Sequence, residues 1–353
     1  MNQIWISLSE KEYRNLKGAD GFPIISYSAI SKYLREGFEG YLHLEDREET
    51  NSLTFGSAVD TLITEGEEQF AKKFVTLDNV FTGKSKEVLD NVAKSLIESN
   101  MTLSSVPALT PLFVDAFNAV EYYPNRTFES KIKLFCNYKG DSLSEYAKAY
   151  LNAKTSQETS VISKEMLDEA RKTVYALKYD KFIGIVFATD DGLDRIYQAK
   201  FVTAINGVEY KFMFDLLIID HSHKVIMPFD LKTTSKPEYR FPESFLKWRY
   251  DIQARLYCQG LNQIVQHSRE WAGYKIKPMK FIVVNKNSLT PLMFEFEDSF
   301  TKGDIQYGNT VLEDPFVVGN ELNALIRSKA TLPPNIVKNG INYLSQLLKK
   351  PNE

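Results

Sequence analysis

The apolar positions of this chain change period along its length, and each change predicts an element. Residues 210–219 are almost continuously apolar and β-rich. Asp220, His221, Ser222, His223 and Lys224 break the run, and residues 225–231 resume it. Two such runs about a polar break predict a β-hairpin turning at Ser222 and His223. Upstream, residues 195–202 predict a strand, and Asn206-Gly207 predicts a tight turn into Val208 because both residues accept positive φ. Downstream, residues 279–285 predict a buried strand and residues 291–296 another.

Helical periods fill the rest. Ser26 or Ser28 caps a helix striped by Ile30, Tyr33, Leu34 and Phe38. Residues 53–63 predict a helix with small Gly56, Ser57 and Ala58 and with Asp60 inside an apolar run. Residues 86–155 predict mostly helix, broken at Pro107, Pro111 and Pro124. Residues 163–177 predict a Ser163-capped helix striped by Met166, Ala170, Val174 and Leu177. A helix beginning near Phe241 or Pro242 carries Arg249, Gln253 and Tyr257 at i, i+4 and i+8, so that spacing stacks them on one face. Further helices are predicted over 299–312 and 341–350.

The hairpin concentrates chemistry. Asp215 and Asp230 lie at similar distances from the polar break, so they fall roughly opposite each other, and Asp230 and Lys232 share a strand face while Leu231 points away. Two carboxylates on an apolar hairpin repel and are costly to desolvate unless a cation lies between them. A hard divalent ion with oxygen ligands, Mg2+ or Mn2+, meets that need. Beside such an ion Lys232 orients or deprotonates a water, or stabilises charge on a phosphate, which makes a site for phosphodiester hydrolysis. Gln253 and Tyr257 reach the phosphate or buttress Lys232; the bland alternative is that Tyr257 is core and Gln253 its partner.

Asp215, Asp230-Leu231-Lys232-Thr233-Thr234 and the stretch from Trp248 to Tyr257 resemble the PD-(D/E)XK nuclease superfamily. Within it they resemble the RecE-like phage and prophage exonucleases, with their D-x-K-T-T and R-Y-x-x-Q-x-x-x-Y motifs. The resemblance is concentrated in about fifty residues and continues collinearly from about Ile25 to Asn285. It implies an α/β (α+β) fold, a central mixed β-sheet flanked by helices, and one nuclease domain over 1–353. Residues 86–155 are longer than the family's usual connection and are expected as a helical insertion, with 313–353 a C-terminal extension. It implies a metal held by Asp60, Asp215, Asp230 and the Leu231 carbonyl; catalysis by Asp215, Asp230, Lys232, Gln253 and Tyr257; and DNA contacts from Lys84, Lys86, Arg249 and Thr233. It also implies linear double-stranded DNA as substrate, 5′ to 3′ polarity, a ring-shaped homo-oligomer and a single-strand annealing protein as partner. The chain departs from the family twice: Asp60 stands where the family has His, and Gln198 roughly where many members have Glu. An endonuclease of restriction or defence type on the same core, and a catalytically silent DNA-binding relative, are the alternatives.

Composition limits the choices. The 353 residues are 43% apolar and 13% aromatic, ample for a packed core. A net charge of −3 gives no global basic footprint, so nucleic acid would be met by a local groove. Two cysteines argue against a disulfide framework and for a reducing, cytoplasmic setting, and they exclude a four-cysteine iron–sulfur cluster. The four histidines lack zinc spacing. Gly83-Lys84-Ser85 is not a P-loop, because Asp78 stands where its first glycine belongs, so no nucleotide cofactor is expected. Instead a basic loop at Lys84 and Lys86 is expected. No run of about 18 apolar residues predicts a membrane span.

Overall fold

Thirteen residues, Val208–Asp220, form the strand on which the rest of the sheet is registered. The structure, a computed structural model, describes residues 5–44, 50–78, 80–103, 106–140, 142–156, 159–189 and 191–329. They fall into two compact units, one drawn from Met1–Glu49 and Ala176–Glu353, the other Thr50–Tyr175. The helices are α1 (Glu10–Arg14), α2 (Tyr27–Leu42), α3 (Asn51–Thr64), α4 (Gly66–Lys73), α5 (Gly83–Glu98) and α6 (Val106–Ala119). They continue with α7 (Phe128–Ile132), α8 (Glu145–Ser156), α9 (Lys164–Tyr179), α10 (Phe241–Trp248), α11 (Tyr250–His267) and α12 (Pro315–Lys329). The strands are β1 (Ile25–Ser26), β2 (Phe74–Leu77), β3 (Ser160–Ser163), β4 (Asp194–Ile205), β5 (Val208–Asp220) and β6 (Val225–Thr234). The remainder are β7 (Lys275–Ile276), β8 (Met279–Asn285), β9 (Leu292–Phe296), β10 (Ile305–Tyr307) and β11 (Thr310–Leu312).

In the first unit a seven-stranded mixed sheet is flanked by helices. From Val208 to Ile219, with a gap at Asp215, β5 pairs antiparallel with β4, through the Asn206-Gly207 turn whose φ values are 52° and 81°. On its other edge β5 changes partner. Tyr210 and Lys211 pair with β1, and Leu216 to Asp220 pair with β6. β6 in turn pairs parallel with β8 from Phe229 to Thr234. The predicted hairpin is thus present, closing at Asp220 and Val225. Ile30 and Phe38 of α2, Ile252, Leu256 and Leu261 of α11, and Phe316 and Leu322 of α12 are buried with the sheet in one core. Ser26 caps α2 by accepting from the Ala29 amide.

The second unit is largely helical, with β2 and β3 as a parallel pair. Its core joins Val88, Leu89 and Val92 of α5 to Leu109, Phe113 and Phe117 of α6 and to Phe135 and Tyr150. Residues 86–155 lie within this unit. Helix α6 runs through Pro111 instead of breaking there. Pro107 stands in its first turn, where the missing amide costs nothing, and the buried face of Leu109, Phe113 and Phe117 carries the helix past the second proline.

The helix expected over 299–312 is absent. A short 3-10 turn, Glu297–Phe300, leads into the β10–β11 hairpin. Buried Arg255 of α11 explains this, because it donates to the carbonyls of Thr301, Gly303 and Glu313, which a helix would need internally. Residues 330–353, including the predicted 341–350 helix, lie outside the described residues. Among the described residues no helix is long and apolar enough to cross a membrane.

Candidate active site

The β5–β6 ladder ends at Leu216 and Phe229. The next pair in that register is Asp215 and Asp230. Here the strands part, and the Asp215 carboxylate takes over the ladder by accepting from the Leu231 amide at 2.8 Å. A side chain thus satisfies a backbone donor that the hairpin gives up. One Asp215 oxygen holds the main chain of the D-L-K segment in place.

The sheet's alternation slips at the same level. Tyr210, Phe212 and Phe214 belong to the main core, and so do Leu217 and Ile219, whereas Leu216 and Ile218 are buried outside it. A strict two-residue period would put these sets on opposite faces. Across the ladder β4 slips too: Ala199 and Phe201 enter the core from one side of Gln198, and Ile196 packs against it from the other. Gln198 lies opposite Asp215 in the β4–β5 register and has φ of 51°, a left-handed conformation costly for a side chain of this kind. The slip lets Phe214 pack against α11 while the next residue is the carboxylate.

Asp230 is 2% exposed. One of its oxygens accepts from Gln253 Nε2, and the other forms an ion pair with Lys232 Nζ at 2.5 Å. Lys232 Nζ also stands 4.7 Å from the centre of the Tyr250 ring. Burial disfavours the ammonium, but Asp230, then Tyr250, Asp215 and Tyr27, outweigh it and hold the lysine pKa above its ordinary value. These neighbours favour the ammonium form of Lys232, and in that form it can stabilise negative charge. Burial, reinforced by Tyr13, Asp230, Asp215 and Tyr27, likewise pushes the Tyr257 phenol well up, so it remains neutral. Tyr257 packs on Phe212 and Phe214, with ring centres 5.6 and 5.3 Å away. Gln253 presents a second, unspent group: its buried Oε1 has no hydrogen-bond partner among the described residues.

Helix geometry explains which members of the aromatic and amide row meet the carboxylates. Gln253 and Tyr257 do stack on α11, but Arg249 does not. The chain leaves the helix there with φ 56° and ψ 48°, separating α10 from α11. That turn sends the Arg249 guanidinium to Asp251 at 2.9 Å and Glu313 at 2.6 Å. The expected single face therefore stops at Gln253. Tyr27 and Ser31 of α2 hold the turn by donating to the Trp248 carbonyl at 2.8 and 2.9 Å.

The other sequence-predicted residues each have their own local setting. Thr233 pairs with Val284 and falls on the strand face opposite Lys232. Lys84 and Lys86 are on the first turn of α5 rather than in a loop, where the buried face of that helix draws the segment into regular structure. Lys84 donates to the Glu121 carbonyl at 3.1 Å and Lys86 pairs with Asp90 at 2.7 Å. Asp60 is half-buried on α3 of the second unit.

Two contributors escaped the sequence reading. Tyr250 lies inside the motif, but only the fold shows Lys232 placed on its ring. Glu238 is 5% exposed and accepts from the Asn285 amide and the Thr290 hydroxyl, both at 3.2 Å, pinning the loop that leaves the D-L-K strand. A buried acid shortly after the D-L-K strand is a signal that sequence alone does not distinguish from a solvated one.

Asp215, Asp230 and the adjacent main chain supply hard oxygen donors of the type Mg2+ and Mn2+ prefer, and the unpartnered Gln253 Oε1 is an acceptor for an ion-bound water. Among the described residues no group of three or more His, Cys, Asp or Glu side chains is gathered at one point. The chain matches no protein-family model and no curated protein.

Proposed function

We propose that the protein is a metal-dependent DNA exonuclease with a PD-(D/E)XK-type core, hydrolysing linear double-stranded DNA, with 5′ to 3′ polarity implied by the sequence resemblance. The observation that carries this reading is the convergence of Asp215, Asp230, Lys232 and Gln253 at the point where β5 and β6 part. Asp215 and Asp230 would hold the ion with the Leu231 carbonyl. When bound, the ion supplies positive charge that acidifies a water and neutralises the phosphate. Lys232, kept protonated by its neighbours, stabilises charge on the phosphoryl oxygens. Gln253 orients Asp230 through its amide and offers Oε1 to a water. Tyr257 stays neutral and supports the site by packing. A ring-shaped homo-oligomer and an annealing partner belong to the same proposal.

The test is digestion of linear, nicked and closed circular duplex DNA with Mg2+, labelled at either end, beside Lys232→Ala. Progressive loss of label from 5′ ends of linear DNA, intact closed circles and no activity in the variant support the reading. Cleavage of closed circles at discrete positions would replace it by an endonuclease. DNA binding without cleavage in Mg2+ or Mn2+ would replace it by a silent relative.

A further inference from the structure

Trp248, at the end of α10, has 40% of its surface exposed, whereas Trp271 is buried at 3%. Two cations from different elements converge on its ring. The Arg35 guanidinium carbon of α2 lies 4.7 Å from the ring centre, and so does Lys247 Nζ of α10. The placement is built rather than incidental. Ser31 Oγ donates to the Trp248 carbonyl at 2.9 Å, and Arg35 Nε donates to the Ser31 carbonyl at 3.1 Å, so one residue of α2 ties both partners together. One ring holds both cations by cation–π attraction, and their mutual repulsion favours an anion beside them. Lys247 has no acidic partner among the described residues. Arg35 has only a loose one, Glu36 at 3.8 Å, and that carboxylate is 2.9 Å from Lys32.

The platform adjoins the catalytic lysine. The Tyr27 hydroxyl bonds the Trp248 carbonyl, the Tyr27 ring lies 6.2 Å from Tyr250, and Tyr250 carries Lys232 on its face. We propose that Arg35, Lys247 and Trp248 form a binding site for the phosphate backbone of a DNA strand entering the Asp215/Asp230/Lys232 centre. This rests on the nuclease reading and names a surface for its substrate. Two cations held at one ring suit successive phosphates of a strand, and the partly exposed indole beside them reports a strand bound there.

The experiment is binding of a labelled single-stranded deoxyoligonucleotide without divalent ion, so that no cleavage intervenes, across a salt titration. Arg35→Gln with Lys247→Gln is expected to weaken binding at least about tenfold and to reduce the salt slope by about 1.4, from roughly 0.7 per phosphate contact on a single strand. Trp248→Phe is expected to keep most of the affinity and to abolish the quenching of intrinsic fluorescence by the oligonucleotide. Lys247→Gln alone removes an exposed side chain and cannot unfold the protein, so its halved effect guards against a folding artefact in the double variant. Unchanged affinity and slope in both cation variants, with wild-type protein binding and cutting DNA, overturns the platform and leaves the nuclease reading standing. Wild-type protein that neither binds nor cuts DNA overturns both.

Discussion

Asp215 has two separable duties, and substitution distinguishes them. Its carboxylate accepts from the Leu231 amide, and in the proposed function its charge would hold the ion. Asp215→Asn keeps an oxygen for the amide and removes the charge. It should unfold at nearly the wild-type temperature and lose Mg2+-dependent activity by orders of magnitude. Asp215→Ala removes the acceptor as well and should be less stable by about 1–3 kcal/mol, the usual cost of a buried donor left unmade; thermal melts of both variants check this. Lys232 makes a pH prediction. Its pKa is raised in the folded protein by Asp230, Tyr250, Asp215 and Tyr27 against the opposing effect of burial. The folded state then holds the proton more tightly than the unfolded chain. The resulting stability is fully present below the unfolded lysine value of about 10.4 and is lost as pH rises from there through the folded value. Urea melts of wild type and Lys232→Met should differ by about 3–5 kcal/mol at neutral pH, since the variant leaves Asp230 without its cation. The gap should close above pH ~10.4 by at most about 1.4 kcal/mol per pH unit.

At the scale of the element, the contest between helix propensity and packing is sharp at Gly260. In the middle of α11 glycine costs about 1 kcal/mol relative to alanine, so propensity predicts that Gly260→Ala stabilises. A Cβ there would meet the Phe212 ring of β5 at 2.5 Å. Overpacking of this kind costs about 1–3 kcal/mol, so the variant should be destabilised on balance. It should also disturb activity, because α11 carries Gln253 and Tyr257 against the sheet; the midpoint of thermal unfolding and the rate of DNA digestion measure both effects. The hairpin elements were legible beforehand because each is a local pattern: two apolar runs, a polar break, an Asn-Gly turn. The stretch 299–312 was misread as helix because its local composition permits one, and the decisive donors sit far away in sequence, on Arg255. Arg249 was placed on a helical face for a similar reason. Spacing of i and i+4 implies a face only where the helix is continuous, and nothing local announced a left-handed residue there.

For the whole molecule, the two units each possess their own buried core. The second is continuous in sequence, with Val88, Leu109, Phe113, Phe135 and Tyr150 closed among themselves. A fragment of residues 50–175 should therefore fold alone, giving a helical circular dichroism spectrum and a cooperative melt; a flat, non-cooperative melt would show that its core is insufficient. If the nuclease proposal holds, the net charge of −3 leaves DNA to local surfaces, so affinity should depend on a few cations and not on the overall field.

Sequence by itself determined the chemistry that is carried by adjacent residues. Asp230 and Lys232 share a face because a strand has period two, and Asp215 opposes Asp230 because a hairpin counts outward from its turn. The alternation of apolar and polar residues also predicted the strands about the hairpin, whereas the mixed α/β class was an expectation from the family resemblance. Tertiary structure alone decided what that chemistry is bonded to. It placed Lys232 on the Tyr250 ring, turned the Asp215 carboxylate onto the Leu231 amide, and set Gln198 left-handed opposite it. It also brought Arg35 and Lys247 to one indole. The physical reason is range: backbone periodicity is fixed within a few residues, whereas a buried charge takes its partners, and hence its protonation, from whatever segments the core packs around it.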